Sequence, residues 1–266
     1  MSTKMSNAPV YYALAQVHFN PVAAMHKYVD EIQDQLRREG YTHFETNQIA
    51  QLQFTANIGA DVSQPQFETI SNWSFSKADR KTGVILNKST LTLHTTFYES
   101  REEFIPELLK ALKIVDDVVK LAHISRIGLR YLDAVIPKED EALEQYLHHG
   151  LHGITSNFGR RYSMSEIVYD TLCEPLVKNG TLVVRVYGAR SEVGFPPDLV
   201  LSGLTPNPKF VTNTAVVHSI IDMDHFTEGE IPLNFNEIQH QLFSQHDAIR
   251  DAFRTIATEY ALSVWE

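Results

Sequence analysis

Cysteine is almost absent from this chain, because Cys173 is the only one among 266 residues. A single cysteine excludes an intramolecular disulfide and a zinc site built from several thiolates. Cys173 carries no recognisable nucleophile motif, so we interpret it as a small buried side chain. A chain without disulfides fits a reducing compartment.

Long hydrophobic runs and basic residues are also scarce. No stretch reaches the ~20 consecutive apolar residues of a membrane span, and the polar N-terminal segment 1–8 lacks the apolar core of a signal peptide. Acidic residues outnumber basic ones by 33 to 23, which gives a net charge of −10. That charge disfavours general affinity for nucleic acid or an anionic membrane. We expect a cytoplasmic protein with neither of these as its partner.

The local signatures of common enzyme classes are missing as well. The chain has no G-x-S-x-G, no Walker loop, no G-x-G-x-x-G and no H-E-x-x-H. Their absence disfavours an enzyme without excluding one. We identify no catalytic residue and no cofactor.

What is present is an ordinary globular balance of 43% hydrophobic and 21% charged residues. Strand patterns bounded by polar turns, such as 77–83 and Asn179-Gly180, alternate with segments of helical periodicity. The order predicts an α+β fold with two packed lobes, 1–137 and 138–266, which could also form one continuous domain. We expect each lobe to be a largely antiparallel sheet covered by helices, with a long amphipathic helix at the C-terminus.

The segment 123–136 is rich in β-branched and aromatic residues and reads as a central strand. Arg126 and Arg130 are four residues apart, so they share one face of that strand, with Gly128 between them. One hypothesis is a fork that binds a carboxylate or phosphate. The other is a structural ion pair with carboxylates of the chain itself; the acids that could serve are Asp116, Asp117, Asp133 and Glu166.

The run from Arg126 to Tyr131, R-I-G-L-R-Y, resembles the core motif R-[IV]-G-L-R-Y of a sporadically distributed bacterial protein family. The upstream segments Trp73–Ser76 and Leu91–Tyr98 and the following Phe104 are similar to that family too. The family has no established activity. Its patchy distribution implies an accessory component of a defence or mobile-element system.

Two clusters have the residue types of a metal site. On a continuous helix His148 and His152 would share one face, with Glu144 one turn earlier, but two glycines interrupt that helix. Asp222 and Asp224 form a D-x-D on one face of a strand, which can hold Mg²⁺ or Ca²⁺. Solvated histidines and solvated acids before a helix explain the same patterns, and we favour those explanations.

These observations favour a non-enzymatic binding or scaffold protein whose partner is another protein or a second copy of the chain. The alternative is a small-anion or nucleotide-sensing domain, or a hydrolase, that uses Arg126 and Arg130. A cavity opening onto the two arginines would favour the alternative, whereas burial against internal carboxylates would favour the binding protein.

Overall fold

The computed structural model describes residues 5–53, 66–154 and 159–266. Its strands are β1 (Val10–Phe19), β2 (His43–Gln53), β3 (Gln66–Ser76), β4 (Thr82–Leu86), β5 (Thr90–Thr95), β6 (Ile124–Val135), β7 (Tyr162–Leu172), β8 (Asn179–Ser191) and β9 (Val216–Ile231). They form one nine-stranded sheet in the order β2-β3-β4-β5-β1-β6-β9-β8-β7. Every neighbouring pair is antiparallel.

The single sheet corrects the prediction of two packed lobes that each contain their own sheet. Strand β1 pairs with β5 on one side and with β6 on the other, so the strands of the two halves are continuous. Strand β6 falls within the predicted segment 1–137 but pairs with β9 of the second segment. The alternation of apolar residues predicts which face of a strand is buried, but it does not identify the neighbouring strand. The sequence pattern therefore could not predict that strands of the two proposed lobes pair with each other in one sheet.

Helices cover one face of the sheet. They are α1 (Val29–Arg38), α2 (Arg101–Val119), α3 (Leu143–Tyr146), α4 (Phe235–Ile256) and α5 (Glu259–Trp265). The long helices α2 and α4 contact each other, and both contact the central strands. No helix in the described part of the chain is both long enough and apolar enough to cross a membrane.

The two long helices begin at side-chain caps. Ser100 Oγ accepts a hydrogen bond from the backbone N–H of Glu103 at the start of α2, and Asn234 caps α4 in the same way. The predicted long C-terminal helix is present. Its buried side chains follow helical spacing: Ile238, Leu242, Gln245, Ile249, Phe253 and Ile256. The helix ends there, and α5 follows after Ala257.

The opposite face of the sheet lies under the long segment 192–213, which makes up most of the connection between β8 and β9. The hydroxyl of Tyr11 donates a hydrogen bond of 2.8 Å to the carbonyl of Gly194. Further along the segment, Thr96 Oγ1 donates to the carbonyl of Thr205 at 2.8 Å. The segment therefore starts beside the C-terminal half of the sheet and reaches the N-terminal half, which makes it a cover over the face that carries Arg126 and Arg130.

Candidate functional site

Strand β6 is the sixth strand in the sheet order, between β1 and β9. Because successive side chains alternate, Arg126, Gly128 and Arg130 lie on the same face as Leu132, which packs in the cluster under segment 192–213. Tyr131 packs in the core beneath the helices. The two arginines therefore do share a face, and that face is the one under segment 192–213.

The guanidinium of Arg130 binds two carboxylates of the chain. Its Nε and Nη2 donate to the two carboxylate oxygens of Asp222, both at 2.7 Å. Its Nη1 and Nη2 donate to the carboxylate of Asp198 at 2.6 and 3.1 Å. Asp222 is completely buried, and Arg185 is its second cationic neighbour at 3.9 Å. The bonds from Arg130 also hold the pKa of Asp198 below its usual value. No planar edge of Arg130 is left for an external anion.

Arg126 is more loosely held. Its guanidinium lies 4.1 Å from the centre of the Phe226 ring, and its nitrogens are 3.6 Å from both Asp224 and Glu228. Gly128 allows the neighbouring strand to approach, because a Cβ there would lie 3.0 Å from Cβ of Phe226. The close approach that glycine permits is thus to strand β9.

The acids suggested from the sequence do not contact either arginine in the described part of the chain. They lie elsewhere or bond to other groups: Asp116 accepts from Leu121 N–H, Asp117 pairs with Lys113, Glu166 pairs with Arg185, and Asp133 lies on the helix-covered face. One signal in the sequence could have excluded Asp133. It is three residues from Arg130, and an odd spacing places two strand residues on opposite faces.

The D-x-D pair is part of the arginine network. Asp222 and Asp224 do share a face of β9, but their oxygens lie beside Arg130 and Arg126. Burial raises the pKa of Asp224, and the neighbouring Arg126 partly offsets this. In the ranges that the structure describes, no three His, Cys, Asp or Glu side chains converge as a metal site would require.

The two histidines of the other metal-like cluster lie outside any α-helix, because α3 ends at Tyr146. His148 accepts a hydrogen bond of 3.3 Å through Nδ1 from the N–H of Gly150. His152 Nε2 lies 2.8 Å from the carbonyl of Leu147. The helix ends before either histidine, with Leu147 and His148 in non-helical conformations, so the geometry that would have placed the two rings on one face is absent.

Cys173 lies in a buried polar cluster that the sequence did not indicate. Its Sγ is 3.3 Å from His225 Nε2, and the Oγ1 of Thr171 is 2.7 Å from the same nitrogen. Burial raises the pKa of the Cys173 thiol and lowers the pKa of His225. Both groups are therefore neutral near pH 7, whereas a nucleophilic cysteine needs the thiolate. We interpret the cluster as structural.

Strand β7 is one edge of the sheet and is 11 residues long. No strand of the described residues pairs with its outer side. Large apolar side chains are exposed along it, from 40% for Ile167 to 75% for Leu172; the others are Tyr162, Met164, Val168 and Tyr169. On the opposite edge, β2, the only exposed large apolar side chain among those described is Phe44.

Comparison with known proteins found no family model that matches the chain and no curated protein that is similar to it. The resemblance through the R-I-G-L-R-Y motif therefore rests on that motif and the neighbouring segments alone.

Proposed function

We propose that the protein is a non-enzymatic binding protein that acts through protein–protein contacts, and that its edge strand β7 pairs with β7 of a second copy. The observation that carries the proposal is the edge itself: an 11-residue strand whose outer side pairs with no described strand and along which six large apolar side chains are exposed. A long, apolar edge strand is a template for another strand, and natural proteins normally blunt such edges with charge, proline or a cover.

The internal pairing of Arg130 weighs against the alternative of an anion- or nucleotide-sensing domain. Both carboxylates that bind Arg130 belong to the chain itself, and the arginine side chain is only 8% exposed. A ligand would have to displace Asp198 to reach the guanidinium. This is the arrangement expected of a protein whose arginines stabilise the sheet.

Charge selects one register for the pairing of two copies. A two-fold axis perpendicular to the sheet keeps directly opposite residues on the same face, so the axis must pass through a residue of β7. With the axis at Ile167, Arg160 of one copy lies opposite Glu174 of the other, at both ends. An axis at Glu166 would oppose two copies of that glutamate, and an axis at Val168 would oppose Glu166 to Asp170. Of these three axes, which lie at the middle of β7, only the one at Ile167 joins opposite charges without opposing like ones.

The mass of the protein in solution, measured by light scattering over a range of concentrations, tests the proposal. We expect a dimer for the wild type and a monomer for Ile167→Lys, which would place two ammonium groups opposite each other. Val217→Lys is the matched control, because Val217 is 51% exposed on β9, away from the β7 edge. A monomeric wild type, or a dimer that Ile167→Lys leaves intact, would overturn the proposal.

The register has its own test. Arg160→Glu and Glu174→Arg should each weaken the dimer, and the double variant should restore it. A short bifunctional thiol reagent should cross-link Ile167→Cys but not the wild type, whose Cys173 is buried. A dimer that tolerates Ile167→Lys but responds to the charge reversals would place the contact outside β7.

A further inference from the structure

A cavity of about 830 Å³ lies on the helix-covered side of the sheet, apart from the arginine network and from β7. Its floor includes Val10 of β1, Asp133 of β6 and Met223 of β9. Its walls come from the beginning of α2, from the α4 residues 246–254 and from residues 207–210 of segment 192–213, and the N-terminal residues 5–9 close one end. Cavities of this size are typical of small-molecule sites.

Asp133 is the unusual group in this cavity. It is 6% exposed, and its carboxylate makes no hydrogen bond or ion pair with any residue that the structure describes. Burial raises its pKa to about 7, and burial is the only cause of that shift. A buried carboxylate normally has a partner, since leaving it without one is costly. Its position in the cavity wall means that a ligand can supply the partner.

Aromatic rings stand beside this carboxylate. The rings of Tyr98 and Tyr131 meet edge to face with their centres 5.0 Å apart, and the ring of His246 meets Tyr131 at 5.7 Å. The Tyr98 hydroxyl lies 3.3 Å from His246 Nε2, while the buried Nδ1 of His246 has no partner among the described residues. Burial lowers the pKa of His246 to about 4, so its ring is neutral near pH 7. A carboxylate beside tyrosine rings is the environment that favours an organic cation.

The remaining lining defines the body of the ligand. Val10, Met223, Ile249 and Phe253 give the cavity an apolar surface, which suits an aromatic or branched hydrocarbon group. The four cations of the rim, Arg254 among them, all have partners of their own. Two arginines bond to acids, Arg101 to Glu102 and Asp247, and Arg250 to Asp247 and Asp251, and Lys209 donates to the carbonyls of Asn7 and Ala8. None of them contributes to the pKa shift of Asp133. Among the described residues, the acid therefore has no counter-ion.

We propose that this cavity binds a hydrophobic primary amine, with the ammonium on the Asp133 carboxylate beside Tyr98 and Tyr131 and the apolar body along Ile249 and Phe253. The ammonium supplies the charged hydrogen-bond donor that the carboxylate lacks. A neutral ligand of the same shape could not do so. A carboxylate next to the amine would meet only cations that already have partners, so an amino acid is a poorer ligand than the simple amine.

Titration calorimetry with three small probes tests the site. Phenethylamine represents the class, 2-phenylethanol is its neutral analogue, and L-phenylalanine adds a carboxylate. We expect phenethylamine to bind at least about tenfold more tightly than either of the others, the factor that corresponds to one well-placed interaction. This comparison uses the wild-type protein only, so it does not depend on how a variant folds. Equal affinities for phenethylamine and 2-phenylethanol, or no binding of phenethylamine, would overturn the proposal.

A variant identifies the group that receives the amine. Asp133→Asn should weaken the binding of phenethylamine by at least about tenfold and leave the affinity for 2-phenylethanol unchanged. Asp198→Asn is the matched control on the opposite face and should bind like the wild type. At pH 6, binding to the wild type should release about one proton, which appears as a dependence of the measured heat on the buffer. An unchanged affinity in Asp133→Asn would place the amine elsewhere.

Discussion

Arg130 and Asp133 lie three residues apart on strand β6, on opposite faces of the sheet, and they differ in whether their charge has a partner. Arg130, on the face under segment 192–213, has four hydrogen bonds to two carboxylates. Asp133, on the face under the helices, is buried with no partner among the described residues. Burial of a charged group is therefore not by itself a sign of function. A fully paired group stabilises the fold, whereas a buried group without a partner marks a place where a ligand can bind.

The largest effect should follow from removal of the paired charge. Arg130→Met leaves the buried carboxylate of Asp222 with Arg185 at 3.9 Å as its remaining cation. We expect a loss of roughly 3–5 kcal/mol in the free energy of unfolding, as for a broken buried pair. Denaturation by urea, followed by circular dichroism, measures this loss.

Asp198→Asn is the control for that measurement, because Asp198 bonds to the same guanidinium but its side chain is 61% exposed. Asp198→Asn should lower the free energy of unfolding by less than about 1 kcal/mol. Equal losses in the two variants would mean that the pairing with Asp222 is not what stabilises the sheet.

A smaller effect is expected at Arg126, the arginine whose carboxylate contacts are both at 3.6 Å. Arg126→Leu keeps an apolar side chain against Phe226. It should lower the free energy of unfolding by about 1 kcal/mol, which is the scale of a partly exposed cation–π contact with weak ion pairs. The same urea experiment compares it with Arg130→Met. A loss as large as that of Arg130→Met would remove the distinction between the two arginines.

Part of this arrangement could be predicted from the sequence. The composition of 123–136 and its terminal proline predicted a strand, and the spacing of Arg126 and Arg130 predicted their common face. The cap of α2 is equally local, because Ser100 and the residue that donates to it, Glu103, are three positions apart. These features depend on neighbours within a few positions, which the sequence shows directly.

The partners of Arg130 could not be predicted in the same way. Asp222 is 92 residues away and Asp198 is 68 residues away, and their approach depends on the pairing of β6 with β9 and on the path of segment 192–213. The D-x-D of Asp222 and Asp224 was visible, but its role depends on the cations beside it. The cavity around Asp133 includes residues from the N-terminal segment, three strands and two helices. These residues are far apart in the sequence, so no local pattern predicts the cavity.

The pH dependence of stability in Asp133→Asn tests the central contrast most directly. The titratable and charged groups that face Asp133 or line its cavity come from several elements: Tyr11, Tyr98, Glu99, Arg101, Glu102, Tyr131, Lys209, His246, Arg250 and Arg254. The variant retains all of them, so the difference between wild type and variant isolates the carboxyl group. Its pKa is about 7 in the folded protein, against 3.8 for the ordinary group.

Between those two values the folded chain holds a proton that the unfolded chain has released, so wild-type stability falls as the pH rises, and the fall ends above about pH 7. The full difference corresponds to roughly 4 kcal/mol. We therefore predict that Asp133→Asn, relative to the wild type, gains stability between pH 4 and pH 8 and is the more stable protein at pH 8. A difference between the two proteins that stays constant across this range would contradict the account, because Asp133 would then have a partner for its charge.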